Sequence, residues 1–291
     1  LLSLAAVIFI INRPGNPQVK MAWIVPILVF PLFGGIIFLI SGGKRPKRKL
    51  RRALDESGEL LRPYREAGKR PAVPASSRRE DLYLLGQCHY LDSRGFPAYE
   101  NTAAHYYADC REGWERLLGD LERAERFIFM EYFILDEGYM WDSILDILKR
   151  KAAAGLDVRV MYDGTCEFVL LPRHYPKELE KMGIQCQVFA PLEPFVSTHY
   201  NYRDHRKITV IDGHTAFTGG VNLADEYIGM REKYGVWKDT ALMLRGPAAA
   251  SFTVMFLQMW SADLRSPEYH KFLSAPVEKV EAKGFVMPYG D

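Results

Sequence analysis

The sequence is poor in the patterns that hold metal ions, nucleotides or disulfide bonds. Its four cysteines, at positions 88, 110, 166 and 186, include no Cys-x-x-Cys pair, so they indicate neither a zinc site nor a disulfide framework. Reduced thiols also fit a cytoplasmic domain. The seven histidines contain no His-Glu-x-x-His motif, and the chain has no Gly-x-x-x-x-Gly-Lys loop for a nucleotide phosphate. We therefore expect neither a metal nor a cofactor.

Residues 21–41 contain no charged side chain. A run of this length can cross the hydrocarbon core of a bilayer, which takes about 20 apolar residues. Residues 1–11 are also apolar but too few to span, and we expect them to be the end of a helix that begins before Leu1. A buried core helix, or a signal peptide in residues 1–11, is the alternative, but neither explains an uncharged run followed by a basic one. We predict a transmembrane helical hairpin in residues 1–43.

Basic residues are concentrated directly after this hairpin, because seven of the nine residues from 44 to 52 are Lys or Arg. The positive-inside bias then predicts a multi-pass protein of the cell membrane with its long C-terminal part in the cytoplasm. Anionic membrane lipids attract such residues by about 1 kcal/mol each. The formal net charge of the whole chain is only +2, so the remainder is acidic on balance, which argues against a nucleic-acid partner.

The rest of the chain alternates between helical and strand periodicity. Proline, serine and charge in residues 44–80 predict a basic juxtamembrane segment and linker, and residues 81–280 predict a globular domain. Within that domain, apolar spacing predicts helices at 112–124, 139–154, 176–182 and 246–260, and strands at 127–135, 156–162 and 184–189. This order indicates an α/β domain built of layers.

Residues 199–222 concentrate the polar chemistry of this domain. His205 and Lys207 are two residues apart at the start of an apolar, β-branched strand, so their side chains share one face and suit an anionic ligand. Asp212-Gly213 predicts a tight turn, and a second strand then leads to Gly219-Gly220 and Asn222. The two glycines allow the backbone to approach another group closely, or to adopt a positive φ.

The pattern His-x-Lys-x4-Asp followed by Gly-Gly-x-Asn resembles the HKD motif of the phospholipase D superfamily. From about residue 106 to residue 260 the chain is similar to the first catalytic half of bacterial cardiolipin synthases, in the segments 129–134, 158–163, 188–191, 201–207, 224–227 and 237–240. The membrane hairpin and its basic exit also resemble the N-terminal region of those enzymes. The resemblance implies a phospholipase D-like α-β-α fold.

An imidazole can attack phosphorus and form a phospho-histidine, which divides one hard displacement into two easier steps. His205 is then the nucleophile or its acid partner. Lys207 and Asn222 are expected to hold the phosphate oxygens and to stabilise the charge of the transition state without a metal. Asp212 is too far along the strand for a direct phosphate contact, and we expect it to orient an imidazole or to balance Lys207.

Three further positions that match the family are expected to contact phosphate or substrate. They are Glu131, Asn201 and Arg203. Glu131 and Asp163 also have an alternative interpretation. Each is a carboxylate at the end of a strand that pairs with Arg203 or Arg206.

The resemblance implies a phosphatidyltransferase that forms cardiolipin from two phosphatidylglycerol molecules and releases glycerol. Family members carry two motifs on two similar halves, but no second His-x-Lys-x4-Asp occurs in these 291 residues, and residues 281–291 look like the start of a missing second half. We therefore expect the partner to be a second HKD half, from the same full-length chain or from a dimer mate, and the isolated chain to be inactive. The competing interpretations are a membrane-bound phospholipase D-type hydrolase and a non-catalytic lipid-binding scaffold.

Overall fold

The computed structural model describes residues 2–12, 17–38, 48–66, 79–172, 174–191, 203–233, 235–261, 268–274 and 280–290. These residues fall into two compact units. The amino-terminal unit contains the described residues up to Arg51, and the sheet unit contains those from Arg52 onward.

The amino-terminal unit is built from short apolar helices. Helix α1 is Leu2–Asn12, α2 is Pro17–Val29 and α3 is Pro31–Ile37. The apolar run of residues 21–41 is therefore divided at Phe30, because the proline that follows it begins a new helix. None of the helices in the described residues is long enough and apolar enough to cross a membrane, so the predicted transmembrane hairpin is not confirmed.

As far as the chain is described, the sheet unit consists of seven strands and the helices from α4 onward, of which α4 has its first four residues in the amino-terminal unit. The helices are α4 (Arg48–Glu66), α5 (Arg79–Ser93), α6 (Cys110–Glu122), α7 (Tyr139–Ala153), α8 (Cys166–Val169), α9 (Tyr175–Lys181), α10 (Ala249–Trp260) and α11 (Tyr269–Leu273). The strands are β1 (Ala103–Tyr107), β2 (Phe127–Tyr132), β3 (Asp157–Asp163), β4 (Gln185–Phe189), β5 (Lys207–Ile211), β6 (Thr215–Gly219) and β7 (Ala241–Arg245).

The strand order is β1-β7-β6-β5-β2-β3-β4, with β2, β3 and β4 parallel and the remaining pairs antiparallel. Helices α6, α7 and α9 cover one face, which we call the α6 face, and α10 and α11 cover the other, the α10 face. Each face has its own apolar core. The predicted layered α/β class is therefore confirmed.

Two features of the sheet position the candidate site. Side chains alternate along each strand, so Tyr132 belongs to the α6 face and Phe129 to the α10 face. The β5–β6 turn is formed by Asp212 and Gly213, whose φ angles of 54° and 76° are both positive, as a type I′ hairpin turn requires. The turn predicted at Asp212-Gly213 is therefore present.

Parts of the fold differ from the sequence-based expectation. Strands β1 and β7 were not anticipated, and helix α4 occupies much of the region predicted as a linker. Its Leu61 is fully buried in the core of the α10 face, which explains why this polar segment is ordered. Near the end of the chain, Val286 exchanges two backbone hydrogen bonds of 2.9 Å with Tyr99.

Candidate active site at one edge of the sheet

His205 and Lys207 lie where β2 and β3 end and β5 begins. The imidazole of His205 is exposed, whereas Lys207 is only 5% exposed. Lys207 lies opposite Tyr132 in the β2–β5 ladder, which puts its side chain on the α6 face. The structure therefore combines an accessible imidazole with a largely buried cation at the edge of the sheet.

Phe133, the first residue after β2, connects these two side chains. Its ring centroid lies 4.7 Å from the centroid of the His205 imidazole, and the Nζ atom of Lys207 lies 5.3 Å from the same ring centroid. A cation over an aromatic face is stabilised electrostatically. The sequence analysis did not single out Phe133, because nothing in the motif spacing indicates a residue on another strand.

The Lys207 ammonium group lies in mainly apolar surroundings. Its Nζ atom donates a hydrogen bond of 2.6 Å to the carbonyl oxygen of His205, and Tyr132, Phe217 and Leu223 line the small cavity that it borders. Burial lowers the pKa of Lys207 to about 8, although the negative charges of Asp204 and Asp239 oppose this shift. These two charges do not outweigh the burial, so an anion in contact with the ammonium group would stabilise it further.

Asn222 is buried and both ends of its side chain bond within the protein. Its Oδ1 accepts a hydrogen bond from the backbone N–H of Ile134 at 2.9 Å, and its Nδ2 donates to the hydroxyl of Tyr227 at 2.8 Å. Cys166 holds the same loop, since its Sγ donates to the carbonyl of Phe133. Asn222 therefore fixes the loop that carries Phe133, and its contact with phosphate stays a prediction.

The two glycines before Asn222 permit close approach, as the sequence predicted. A Cβ atom at Gly219 would lie 2.2 Å from the carbonyl oxygen of Thr240, and φ at Gly219 is 147°. A Cβ atom at Gly220 would lie 1.9 Å from Oδ1 of Asp239. Gly220 thus leaves room for a carboxylate that acts electrostatically on Lys207.

The structure does not bring Asp212 to this site. Asp212 lies at the other end of β5, about 16 Å from Lys207 at the usual rise along a strand. Its carboxylate accepts the backbone N–H groups of Glu125, Arg126 and Phe127, at 2.8, 2.7 and 2.9 Å. Asp212 was expected to orient an imidazole or to balance Lys207. It lies far from Lys207, in the position of a structural anchor, and the imidazole near it is that of His214, whose Nε2 is 3.9 Å from Oδ2.

Glu131 is also separated from the site. It lies opposite Ile208 in the β2–β5 ladder, one residue out of step with Lys207, so its side chain belongs to the α10 face. It is 0% exposed, and Arg206 Nη1 lies 3.7 Å from its Oε1. Burial raises the pKa of Glu131 well above its ordinary value and Asp204 raises it further, whereas Arg206 opposes the shift. The side chains of Glu131 and Lys207 thus lie on opposite faces of the sheet, and a contact of Glu131 with phosphate or substrate stays a prediction.

Arg203 is held at the ends of β3 and β4. Its Nη1 donates to Oδ1 of Asp163 at 3.3 Å and to the carbonyl of Ala190 at 2.9 Å. The alternative interpretation of Glu131 and Asp163, as strand-end carboxylates paired with Arg206 and Arg203, therefore matches the structure. Asn201 lies outside the described residues.

Across the described residues, histidine, cysteine and acidic side chains form no group of three or more that could hold a metal ion.

Comparison with known proteins identifies the family. Residues 117–260 match the model of the cardiolipin synthase, PLD-like domain, and residues 1–43 match that of the phospholipase D-nuclease N-terminal region. The chain belongs to the phospholipase D superfamily. The matched domain contains the whole of β2 to β7, and so the strands that carry the HKD motif and its surroundings.

Individual relatives match most of this chain. A protein of Streptococcus mutans is 43% identical over 289 residues, which cover 99% of this chain and 62% of the relative. A cardiolipin synthase of Halalkalibacterium halodurans is 33% identical over 260 residues, covering 88% of this chain and 50% of the relative. The chain thus spans about half the length of the cardiolipin synthases that it matches.

Among solved structures, a phosphatidylserine synthase of Haemophilus influenzae aligns with a TM-score of 0.45 and 14% identity. The alignment covers 65% of this chain and 46% of the other.

Proposed function

We propose that this chain supplies one half of an active site that forms cardiolipin from two phosphatidylglycerol molecules. The observation that carries the proposal is the exposed imidazole of His205 above the buried ammonium group of Lys207, in a domain of the cardiolipin synthase type. An imidazole and a fixed cation are the groups that a metal-independent phosphoryl displacement needs.

In the first step, a nitrogen of His205 attacks the phosphorus of the donor lipid and the bond from phosphorus to the glycerol oxygen breaks. The products are a phosphatidyl group on histidine and free glycerol, whose oxygen takes a proton from a second acid. In the second step, a hydroxyl of another phosphatidylglycerol attacks the phosphorus, the nitrogen–phosphorus bond breaks, and the hydroxyl proton returns to that acid. The alternative assignment exchanges the roles, so that His205 is the acid and the histidine of a second HKD motif is the nucleophile.

Lys207 and Phe133 prepare His205 for this reaction. The ammonium group stabilises negative charge on the non-bridging oxygens, and because it is mostly buried it is weakly screened by water. The ring of Phe133 restricts the imidazole from one side. Little reorganisation is then needed when charge develops in the transition state.

The second acid comes from a second HKD half, in the same full-length chain or in a dimer mate. This part of the proposal is supported by the single motif in the sequence and by the chemistry, since one imidazole cannot attack phosphorus and protonate the leaving group in the same step. The isolated 291-residue monomer is therefore expected to be inactive.

The reaction takes place on the cytoplasmic surface of the cell membrane. The amino-terminal unit exposes many large apolar side chains, among them Phe9, Leu28 and Phe33, at 57%, 60% and 68%. Apolar surface of this kind indicates contact with a partner or with lipid. The basic residues of positions 44–52 favour an anionic leaflet and the proposed orientation.

The test uses the full-length protein in vesicles of phosphatidylglycerol that is labelled in both the phosphate and the headgroup glycerol. We expect cardiolipin and free glycerol as products, an acid-labile phosphatidyl adduct trapped by rapid quenching, and a loss of turnover of at least about a thousandfold in His205→Ala. His89→Gln, on the exposed surface of α5, is the matched control. Phosphatidic acid in place of cardiolipin would identify a hydrolase, and unchanged cellular function of His205→Ala would identify a scaffold.

A further inference from the structure

The two neighbours of His205 in the chain both interact with the opposite side of the sheet. Asp204 is 5% exposed and acts electrostatically on Glu131, and Nη1 of Arg206 lies 3.7 Å from Oε1 of Glu131. His205 is exposed and Lys207 lies on the α6 face. The residues on either side of His205 are therefore linked to one buried carboxyl group on the α10 face.

That carboxyl group is costly to bury. Glu131 is 0% exposed, and no donor group among the described residues hydrogen-bonds to either of its oxygens, so its hydrogen bond with Asp204 requires a proton on one of the two carboxyl groups. Phe129, Met161 and Ile208 belong to the same apolar core. A carboxyl group in such surroundings without full hydrogen bonding costs several kcal/mol. An apolar side chain would be more stable at this position, so the presence of a glutamate indicates a role other than stability.

The benefit is found in the segment before β5. The backbone N–H of Asp204 donates to Oδ2 of Asp163 at 3.2 Å, and the N–H of Arg206 donates to Oδ1 of Asp204 at 3.1 Å. These bonds fix the backbone on both sides of His205. The side chains of Asp204 and Arg206 then bring Glu131 into the same network.

We propose that Glu131 is a positioning residue, which holds Asp204 and Arg206 from the α10 face and thereby fixes the imidazole of His205 at the edge of the sheet. The catalytic meaning of this inference rests on the proposed function. Glu131 does not touch substrate, and its effect on the reaction passes through the backbone of residues 204–207.

The raised pKa of Glu131 is consistent with this arrangement. Burial and the charge of Asp204 both favour the protonated carboxyl, and the charge of Arg206 opposes it. A protonated carboxyl can face Asp204 without repulsion. If the carboxyl group is protonated, glutamine, which is neutral and has the same shape, should replace Glu131 with little loss of activity.

The experiment compares three variants in the full-length protein. Glu131→Leu removes the polar group with little change in volume, and Glu131→Gln keeps a neutral polar group. The control is Phe129→Leu, two residues earlier on the same face of β2. Two quantities are measured for each: amide hydrogen exchange at residues 204–207, and kcat and KM for transfer from phosphatidylglycerol. Arg206→Met breaks the same pair from the other side, should Glu131→Leu not fold.

We expect Glu131→Leu to raise exchange at residues 204–207 and to lower kcat by at least about tenfold with KM unchanged, because a small displacement of a reacting group is enough for such a loss. Glu131→Gln should stay within about threefold of the wild type, and Phe129→Leu should change neither quantity. Unchanged exchange in Glu131→Leu or Arg206→Met, or raised exchange without loss of kcat, overturns the inference. If the wild type transfers no phosphatidyl group, the proposed function fails instead, and the exchange measurement still decides whether Glu131 anchors the segment.

Discussion

The Nζ atom of Lys207 donates a hydrogen bond to the carbonyl oxygen of His205, with 2.6 Å between the two atoms. The cation is thus tied to the backbone of the residue whose side chain is proposed to react. The bond fixes the ammonium group relative to the imidazole, and the apolar surroundings keep it from being fully stabilised before an anion binds.

The pH dependence of activity follows from Lys207. Its pKa is lowered to about 8, so the amine loses its charge as pH rises through that value. We expect kcat/KM to fall on the basic side near pH 8, because a neutral amine stabilises developing negative charge poorly. The measurement is a pH–rate profile from pH 6 to pH 10. Lys207→Arg, which stays charged throughout, should lose this basic limb in its residual activity.

The lowered pKa of Lys207 should also make the stability of the fold depend on pH. Since the folded pKa of about 8 lies below the ordinary value of 10.5, the unfolded chain binds more protons between these values, and stability must rise with pH across that window. Lys207→Met removes the effect. The wild type gains stability from pH 7 to pH 11 and the variant does not. The free energy of unfolding of the variant minus that of the wild type should therefore decrease by up to about 3 kcal/mol over this range. A constant difference in urea titrations would contradict the lowered pKa.

Phe133 is expected to matter more for turnover than for folding. Phe133→Leu removes the ring between His205 and Lys207, and we expect kcat to fall about tenfold while stability falls by about 1 kcal/mol, because the side chain is only half-buried. Phe96→Leu is the matched control, since Phe96 is also half-buried and packs on the core of the α10 face. Equal losses of kcat in the two variants would show that Phe133 acts through the core alone.

The sequence allowed the chemistry to be predicted where it depends on local spacing. The closeness of His205 and Lys207 follows from their spacing in the chain, although β5 begins only at Lys207, and the Asp212-Gly213 turn follows from residues that accept positive φ. The surroundings of Glu131 could not be predicted in this way. Strand β2 is buried on both faces, so its apolar pattern does not reveal which face receives Glu131.

Long-range pairing explains the other differences. Asp212 meets the backbone of residues 125–127 because β2 lies beside β5, a contact between segments more than 80 residues apart. Short strands such as β1 and β7 carry little periodicity of their own, and they are stabilised by their neighbours in the sheet. Motif spacing therefore predicts the residues that are proposed to react, but not the residues that support them.

Asp212 is expected to contribute to stability and not to chemistry. Asp212→Ala removes the acceptor of three backbone N–H groups. It also leaves at φ 54° an alanine, which cannot form the local side-chain hydrogen bond that helps Asp or Asn to adopt a positive φ. We therefore expect the free energy of unfolding to fall by about 3 kcal/mol or more. Asp212→Asn keeps one acceptor oxygen and tolerates the positive φ, so its loss should be smaller. Urea unfolding measures both. A folded Asp212→Asn enzyme that has lost its kcat would contradict the anchor role.

Gly219 and Gly220 are expected to respond differently to substitution by alanine. Gly219→Ala forces a Cβ atom against the backbone oxygen of Thr240 at an unfavourable φ, so we expect a loss of stability of about 2 kcal/mol or more. Gly220→Ala meets a side chain instead, because the obstructing atom is Oδ1 of Asp239, which can rotate away. We therefore expect Gly220→Ala to affect mainly the reaction.

Displacement of the Asp239 carboxylate in Gly220→Ala should change the pH–rate profile in a defined direction. Asp239 raises the pKa of Lys207, so moving it away should lower that pKa and shift the basic limb of the pH–rate profile to lower pH. Gly86→Ala, in open space on α5, is the control and should leave the profile unchanged. An unshifted limb in Gly220→Ala, together with a loss of stability like that of Gly219→Ala, would mean that Gly220 serves backbone packing. A shifted limb would show that the glycine serves the charge balance at Lys207.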